Sequence, residues 1–104
     1  MAREEKILIV DDEKSMRDFL EIMFKREGYK VFTAASGEAG LSQCEKTSFD
    51  LIITDIKMKG MDGVSLVEKA KEISPATIAI VMTAYANVDN AVNAMKAGAY
   101  DYIS

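Results

Sequence analysis

Apolar positions along the chain alternate between two periods. Ile7-Leu8-Ile9-Val10 is a short β-branched run ended by Asp11-Asp12, which reads as a strand buried on both faces. Met16, Phe19, Leu20, Met23 and Phe24 then recur at i, i+3, i+4, i+7 and i+8, the stripe of an amphipathic helix that Gly28 stops. Tyr29 to Thr33 reads as a second strand. Ser36 is placed to N-cap a helix reaching Glu45, with Ala39, Leu41 and Cys44 inward. Phe49 to Thr54 is a third strand that again ends in an acid, Asp55. After a Gly/Met/Asp loop, a helix bearing Val64, Leu66, Val67, Ala70 and Ile73 closes before the single proline, Pro75. Ile78 to Thr83 is the fourth strand. A helix with Val88, Ala91, Val92 and Met95 follows and ends at Gly98, and Tyr100 to Ile103 opens a fifth strand.

Strand and helix alternate four times, which calls for an α/β fold: a doubly wound parallel sheet covered by helices, since each crossover is right-handed and a helix long. Ligands of such sheets bind beyond the carboxyl ends of the strands, where strand order reverses. Asp11, Asp12, Asp55 and Thr83 all fall at predicted strand carboxyl ends. Three separate segments therefore deliver oxygen groups to one rim.

Composition narrows the chemistry. The 104 residues carry no low-complexity tract, linker or repeat, so one domain over residues 1–104 is expected. Thirteen basic against seventeen acidic residues give a net charge of −4, which argues against direct nucleic-acid binding through a phosphate-neutralising patch. With no histidine, a Ser-His-Asp triad and histidine-ligated metals are excluded. The lone Cys44 forms no internal disulfide, and with no membrane-length apolar run and no signal-peptide core at the N-terminus, a cytoplasmic setting is expected.

What remains is carboxylate, hydroxyl and lysine chemistry. Asp11 and Asp12 after strand 1, and Asp55 after strand 3, would repel one another unless a positive charge lay between them. Mg²⁺, which takes oxygen ligands including carboxylates and phosphate, is the economical cation. Asp55 could then accept a phosphoryl group as an acyl phosphate, with Thr83 hydrogen-bonding the transferred oxygens. Each residue also has a plainer reading: Asp11-Asp12 as turn and capping groups, Asp55 as a loop acid, Thr83 as a satisfied strand-end hydroxyl. Asp62 reads as a cap for the third helix, the methionines as core filler, and Cys44 as a small buried hydrophobe.

ILIVDDEKSMRDFL, FDLIITDIKMKGMDG and IVMTAYANVDNAVNAMKAGAYDYIS closely resemble the receiver domain of two-component response regulators. They are most similar to receivers attached to sigma-54-dependent activators of the nitrogen-regulatory type. The resemblance covers essentially the whole chain and implies the flavodoxin-like sheet order 2-1-3-4-5. It implies that Asp55 is the phosphoacceptor for a sensor histidine kinase and that the domain catalyses only its own phosphoryl transfer and dephosphorylation. It further implies Mg²⁺ on Asp12, Asp55 and the backbone carbonyl of Lys57, with Asp11 ordering metal-bound water. Thr83 is implied as the switch hydroxyl and Tyr102 as the switch aromatic. The helix 4–strand 5 surface is implied as the output face, with Val88, Val92 and Met95 expected to point to the core and Asn87, Asn90, Lys96 and Asp101 to solvent.

Two departures from the family pattern stand out. Lys59 replaces the usual proline in KMKGMDG, which should leave that loop freer. The family's phosphate-pairing lysine would fall at position 105, and its last helix beyond that, so a C-terminally truncated receiver is expected. An open apolar face would follow, covered in a homodimer or larger assembly. Three rival readings are a haloacid-dehalogenase-type phosphatase, a flavodoxin-like FMN carrier, and a pseudo-receiver or fragment acting only in protein–protein contact. Lys57 stands where the phosphatase needs an acid, and Asp-Asp-Glu-Lys would repel the FMN phosphate.

Overall fold

Strands and helices alternate through β1 (Lys6–Val10), α1 (Lys14–Arg26), β2 (Lys30–Ala34), α2 (Gly37–Lys46), β3 (Leu51–Thr54), α3 (Gly63–Ile73), β4 (Ile78–Met82), α4 (Val88–Ala97) and β5 (Asp101–Ile103). The structure is a computed structural model and describes residues 5–84 and 87–103. The N-terminal start read above as leaderless, Tyr85-Ala86 of the quoted motif, and Ser104 lie outside the described residues. All strand pairs are parallel, and the five-stranded sheet has the expected order β2-β1-β3-β4-β5.

The β-branched runs take the centre of the sheet because both their faces are covered. Leu8, Val10 and Ile52 join Ala34, Cys44, Phe49, Leu66 and Ala70 in one cluster under α2 and α3, and Ala79 and Val81 join Ile56, Val67, Ala94 and Ala99 in a second under α3 and α4. Ile7, Ile9 and Ile53 turn to the opposite face and meet Leu20 of α1. Burying each such aliphatic side chain contributes roughly 1.5–3 kcal/mol. Phe49 precedes β3 instead of belonging to it, yet is buried, with its ring edge-on to Phe32 at 5.2 Å and its carbonyl accepting from the Thr77 hydroxyl at 2.7 Å.

The capping expectations hold. The Ser36 side chain accepts from Ala39 N–H and the Asp62 side chain from Ser65 N–H, and Gly98 ends α4 at φ 112°, a conformation open to glycine at no steric cost.

The inward faces differ from expectation in four places. On α2 the buried positions are Gly37, Gly40 and Cys44, while Ala39 is exposed. Ile73, at the last residue of α3, is 46% exposed. In α1, Leu20 is buried and Phe24 half-buried, whereas Met16, Phe19 and Met23 are exposed, because among the described helices α1 alone lies on its side of the sheet. The α4 expectation is overturned most clearly: Val88, Val92 and Met95 are 77%, 44% and 49% exposed. Only small residues fit the closely packed seam there, so Ala94 is buried and Ala91 and Ala97 are half-buried while the larger side chains turn outward. The methionines likewise sit at the margins of the core: none of Met16, Met23, Met58, Met61, Met82 and Met95 is buried.

This seam makes a direct prediction. Val92→Ser should change unfolding free energy by no more than about 0.5 kcal/mol, whereas Ala94→Leu should cost about 1–3 kcal/mol by overpacking. Urea denaturation of both variants checks it, and a large loss for Val92→Ser would place that residue inside.

Candidate functional site

The sheet register brings the acids together. Val10 pairs with Thr54, and the ladder runs one residue further: Asp55 N–H donates to Val10 O at 3.1 Å and Asp11 N–H to Ala34 O at 3.2 Å. Asp11 and Asp55 therefore emerge side by side from β1 and β3, with Asp12 next in the turn to α1. One carboxylate oxygen from each of Asp11, Asp12 and Asp55 lies within 4.8 Å of the others. Asp11 is buried, Asp55 half-buried and Asp12 exposed, so the cluster opens to solvent through Asp12.

Short backbone contacts fix these groups. Asp11 Oδ1 accepts from Glu13 N–H at 2.9 Å, and Asp55 Oδ1 accepts from Ile56 N–H at 2.7 Å. The turn reading of Asp11 is thus satisfied without removing it from the cluster. Sequence reasoning missed three supports. Arg17 Nη1 donates to the Asp11 carbonyl at 2.7 Å, and the Thr54 hydroxyl donates to the Asp55 carbonyl at 2.8 Å. Gly63 N–H donates to Ile56 O at 2.8 Å, and a Cβ on Gly63 would run into the Asp55 carbonyl oxygen. Arg17 lies off the apolar stripe and reads as a solvated charge, and Thr54 reads as an ordinary strand residue. Only the Gly60-Met61-Asp62-Gly63 turn gave a signal, and it pointed to capping.

Thr83 is buried one residue past β4, its N–H donating to Ile103 O at 2.9 Å. With Asp11, Asp55, Met16, Leu20 and Met82 it lines a cleft of about 310 Å³. Tyr102 does not line that cleft. It is half-buried against the Val67–Val81–Ala94 cluster, and its phenol oxygen accepts from Asn87 N–H at 3.4 Å, at the residue that caps α4. Lys57 is exposed in the β3–α3 loop. Cys44 is buried, as expected, and burial pushes its thiol pKa up.

The electrostatics of the cluster are unfavourable as they stand. Burial pushes the Asp11 pKa above the ordinary carboxylate value; the Glu13 N–H opposes this, while the charges of Asp55, Asp12 and Glu13 add to it. Two full charges 4–5 Å apart near a protein surface repel by roughly 3–4 kcal/mol, more than a typical hydrogen bond returns, about 0.5–1.5 kcal/mol. Hard oxygen donors carrying excess negative charge on adjacent rigid strand ends fit a hard divalent cation.

Residues 7–104 match the family described as response regulator receiver domain. The chain belongs to that family and is a receiver domain of response regulators. It is 40% identical over 97 residues to the transcriptional regulatory protein ZraR of Escherichia coli, covering 93% of this chain and 22% of that protein. The chain thus spans about a fifth of this relative's length. Among solved structures, a CheY-like response regulator receiver domain protein from Methanospirillum hungatei superposes with a TM-score of 0.95 at 39% identity, over 97% of this chain and 81% of that one. The response regulator TrrA from Thermotoga maritima, solved in complex with Mg²⁺-BeF, gives a TM-score of 0.86 at 31% identity over 95% and 84%. Among the described residues no helix is long and apolar enough to cross a membrane.

The raised Asp11 pKa sets a pH dependence. The native state holds this proton to higher pH than the unfolded chain, so the stability Asp11 contributes is fully present below the ordinary carboxylate pKa and is lost as pH rises through the raised one. Asp11→Asn removes that loss and keeps an acceptor for Glu13 N–H. Its melting temperature in chelator at neutral pH should be a few degrees above that of the unsubstituted protein, with the difference shrinking in acid. Thermal unfolding across that range checks it; parallel curves for the two proteins contradict the assignment.

Proposed function

We propose that this receiver domain is a phosphoacceptor in two-component signalling, taking a phosphoryl group from a sensor histidine kinase on Asp55. The observation that carries the reading is the convergence of Asp11, Asp12 and Asp55 within 4.8 Å on adjacent strand ends. Asp12 and Asp55 would hold Mg²⁺ through their side chains and Lys57 through its carbonyl, with Asp11 ordering water beside it. The cation supplies charge neutralisation for the phosphoryl oxygens. Asp55 Oδ1 is engaged by Ile56 N–H, which leaves Oδ2 as the attacking oxygen. It forms the new P–O bond as the P–N bond to the kinase imidazole breaks, and the imidazole nitrogen takes up a proton. The domain turns over no external substrate beyond its own transfer and dephosphorylation.

Thr83 is the proposed switch hydroxyl and Tyr102 the switch aromatic. The burial of Thr83 beside Asp55 and the contact of Tyr102 with the α4 cap support this pairing. The proposed partners are the kinase and a second copy of this chain, seated on the apolar surface where Phe19, Ile22, Ile78 and Ile103 are exposed. The domain is proposed to act in the cytoplasm. Sedimentation at micromolar concentration tests the second copy: a concentration-independent monomer refutes it.

Acetyl phosphate with Mg²⁺ tests the chemistry. Mass spectrometry should find the phosphoryl group on Asp55 alone, and none on Asp55→Asn. That variant should also weaken Mg²⁺ binding about tenfold or more, by losing a ligand. A label on another residue, or labelling indifferent to Mg²⁺, refutes the assignment.

A further inference from the structure

The β3–α3 loop, residues 56–62, has to present a backbone carbonyl, yet it contains no proline and no regular secondary structure. Its ends are tied down by Gly63 N–H on Ile56 O and by the Asp62 cap on Ser65 N–H. Its C-terminal half is also held from outside, by the first turn of α2. Glu38 Oε2 accepts a hydrogen bond from Met61 N–H at 3.2 Å, across 23 residues of sequence. Gly37 lies flat against the same residue: a Cβ there would stand 2.8 Å from Met61 O and 2.9 Å from Met61 Cβ. On the loop side Gly60 adopts φ 78°, and a Cβ on it would collide with the Glu38 carboxylate. On the α2 side the close approach to the Met61 backbone needs glycine at 37, and on the loop side Gly60, glycine by its left-handed φ, leaves room for the Glu38 carboxylate.

An acid in the first turn of a helix needs no such role, because the helix dipole alone favours it there. That plainer account explains neither the bond to Met61 N–H nor the close approach at positions 37 and 60. We propose that Glu38 is a positioning residue for the metal site: by holding Met61 it keeps the loop ordered so that the Lys57 carbonyl is presented before the cation arrives. The inference rests on the Mg²⁺ reading above. A loop ordered in advance loses less conformational freedom on binding, which raises affinity without adding a ligand.

Mg²⁺ titration of the chain, paired with amide hydrogen exchange in chelator, tests it. Glu38→Ala should raise the Mg²⁺ Kd about fivefold and speed exchange at Met61 before any metal is added. Glu38→Gln keeps an oxygen acceptor and should stay within about twofold of the unsubstituted protein. Gly37→Ala keeps the carboxylate but wedges a methyl group against Met61, and should weaken Mg²⁺ as well; it also serves if Glu38→Ala fails to fold. Unchanged Mg²⁺ affinity in both Glu38→Ala and Gly37→Ala overturns the clamp and leaves the metal site standing. A loss in Glu38→Gln as large as in Glu38→Ala overturns the hydrogen-bond account. If the unsubstituted protein binds no Mg²⁺, the metal site itself fails and the clamp falls with it.

Discussion

Crowding of like charge at the carboxyl ends of β1 and β3 is the constraint on which the rest of this site depends. Parallel pairing of Val10 with Thr54 leaves no choice about where the next residues go: Asp11 and Asp55 leave the sheet side by side. The strands beneath them are buried on both faces and cannot splay to relieve the repulsion. The hydrogen bonds around the acids reach the backbone, through Arg17 on the Asp11 carbonyl, Thr54 on the Asp55 carbonyl and Gly63 on the Ile56 carbonyl, and the carboxylates, through Glu13 N–H on Asp11 and Ile56 N–H on Asp55. They fix the positions of the carboxylates, and the two that reach a carboxylate oxygen come from uncharged backbone amides. Rigid placement of carboxylate oxygens is the condition under which a small cation or a transferred phosphoryl group binds at a defined point.

The two faces of the sheet are built differently. On one, α2, α3 and α4 pack against each other and against two buried clusters, and small residues such as Gly40, Ala70 and Ala94 let the backbones approach closely. On the other, α1 covers a smaller cluster of Ile7, Ile9, Leu20 and Ile53, and the cleft beside it runs to the acid rim. The loop that leads from Asp55 belongs to the first face, since Met58 and Met61 pack on its core. The well-packed face therefore anchors the acceptor strand and its loop, while the thinner face gives access to the cleft.

Much of this was legible in the sequence because it depends on period and punctuation. Continuous β-branched runs ending in acids marked strands buried on both faces, and Ser36, Asp62 and Gly98 marked helix boundaries through local hydrogen bonds or backbone conformation that the chain carries with it. The sheet order came with the family resemblance. Helix orientation was less legible. Val88, Val92 and Met95 form an apolar stripe on α4 as good as the alanine stripe beside it, and which one turns inward depends on how closely α3 approaches. That distance is a tertiary quantity. Arg17 and Glu38 escaped for a related reason: each acts on a backbone group of another segment, and a charged residue on a polar helical face gives no sign of such a target.

Strand alternation also fixes where Thr83 and Tyr102 sit relative to each other. Thr83 follows β4 and its amide is tied to Ile103 O, so its backbone is coupled to the end of β5. Tyr102, one residue earlier on β5, sits opposite Val81 and packs among the residues under α3 and α4. Side chains two apart on a strand share a face, so Thr83, two residues past Val81, follows on the side of the sheet where Val81 meets Tyr102. Asn87 caps α4 and donates its N–H to the Tyr102 phenol oxygen. That contact, at 3.4 Å and exposed, is long for a hydrogen bond. The cap of α4 and the half-buried Tyr102 ring therefore meet through one long contact, beside the packed cluster under α3 and α4 that holds the ring.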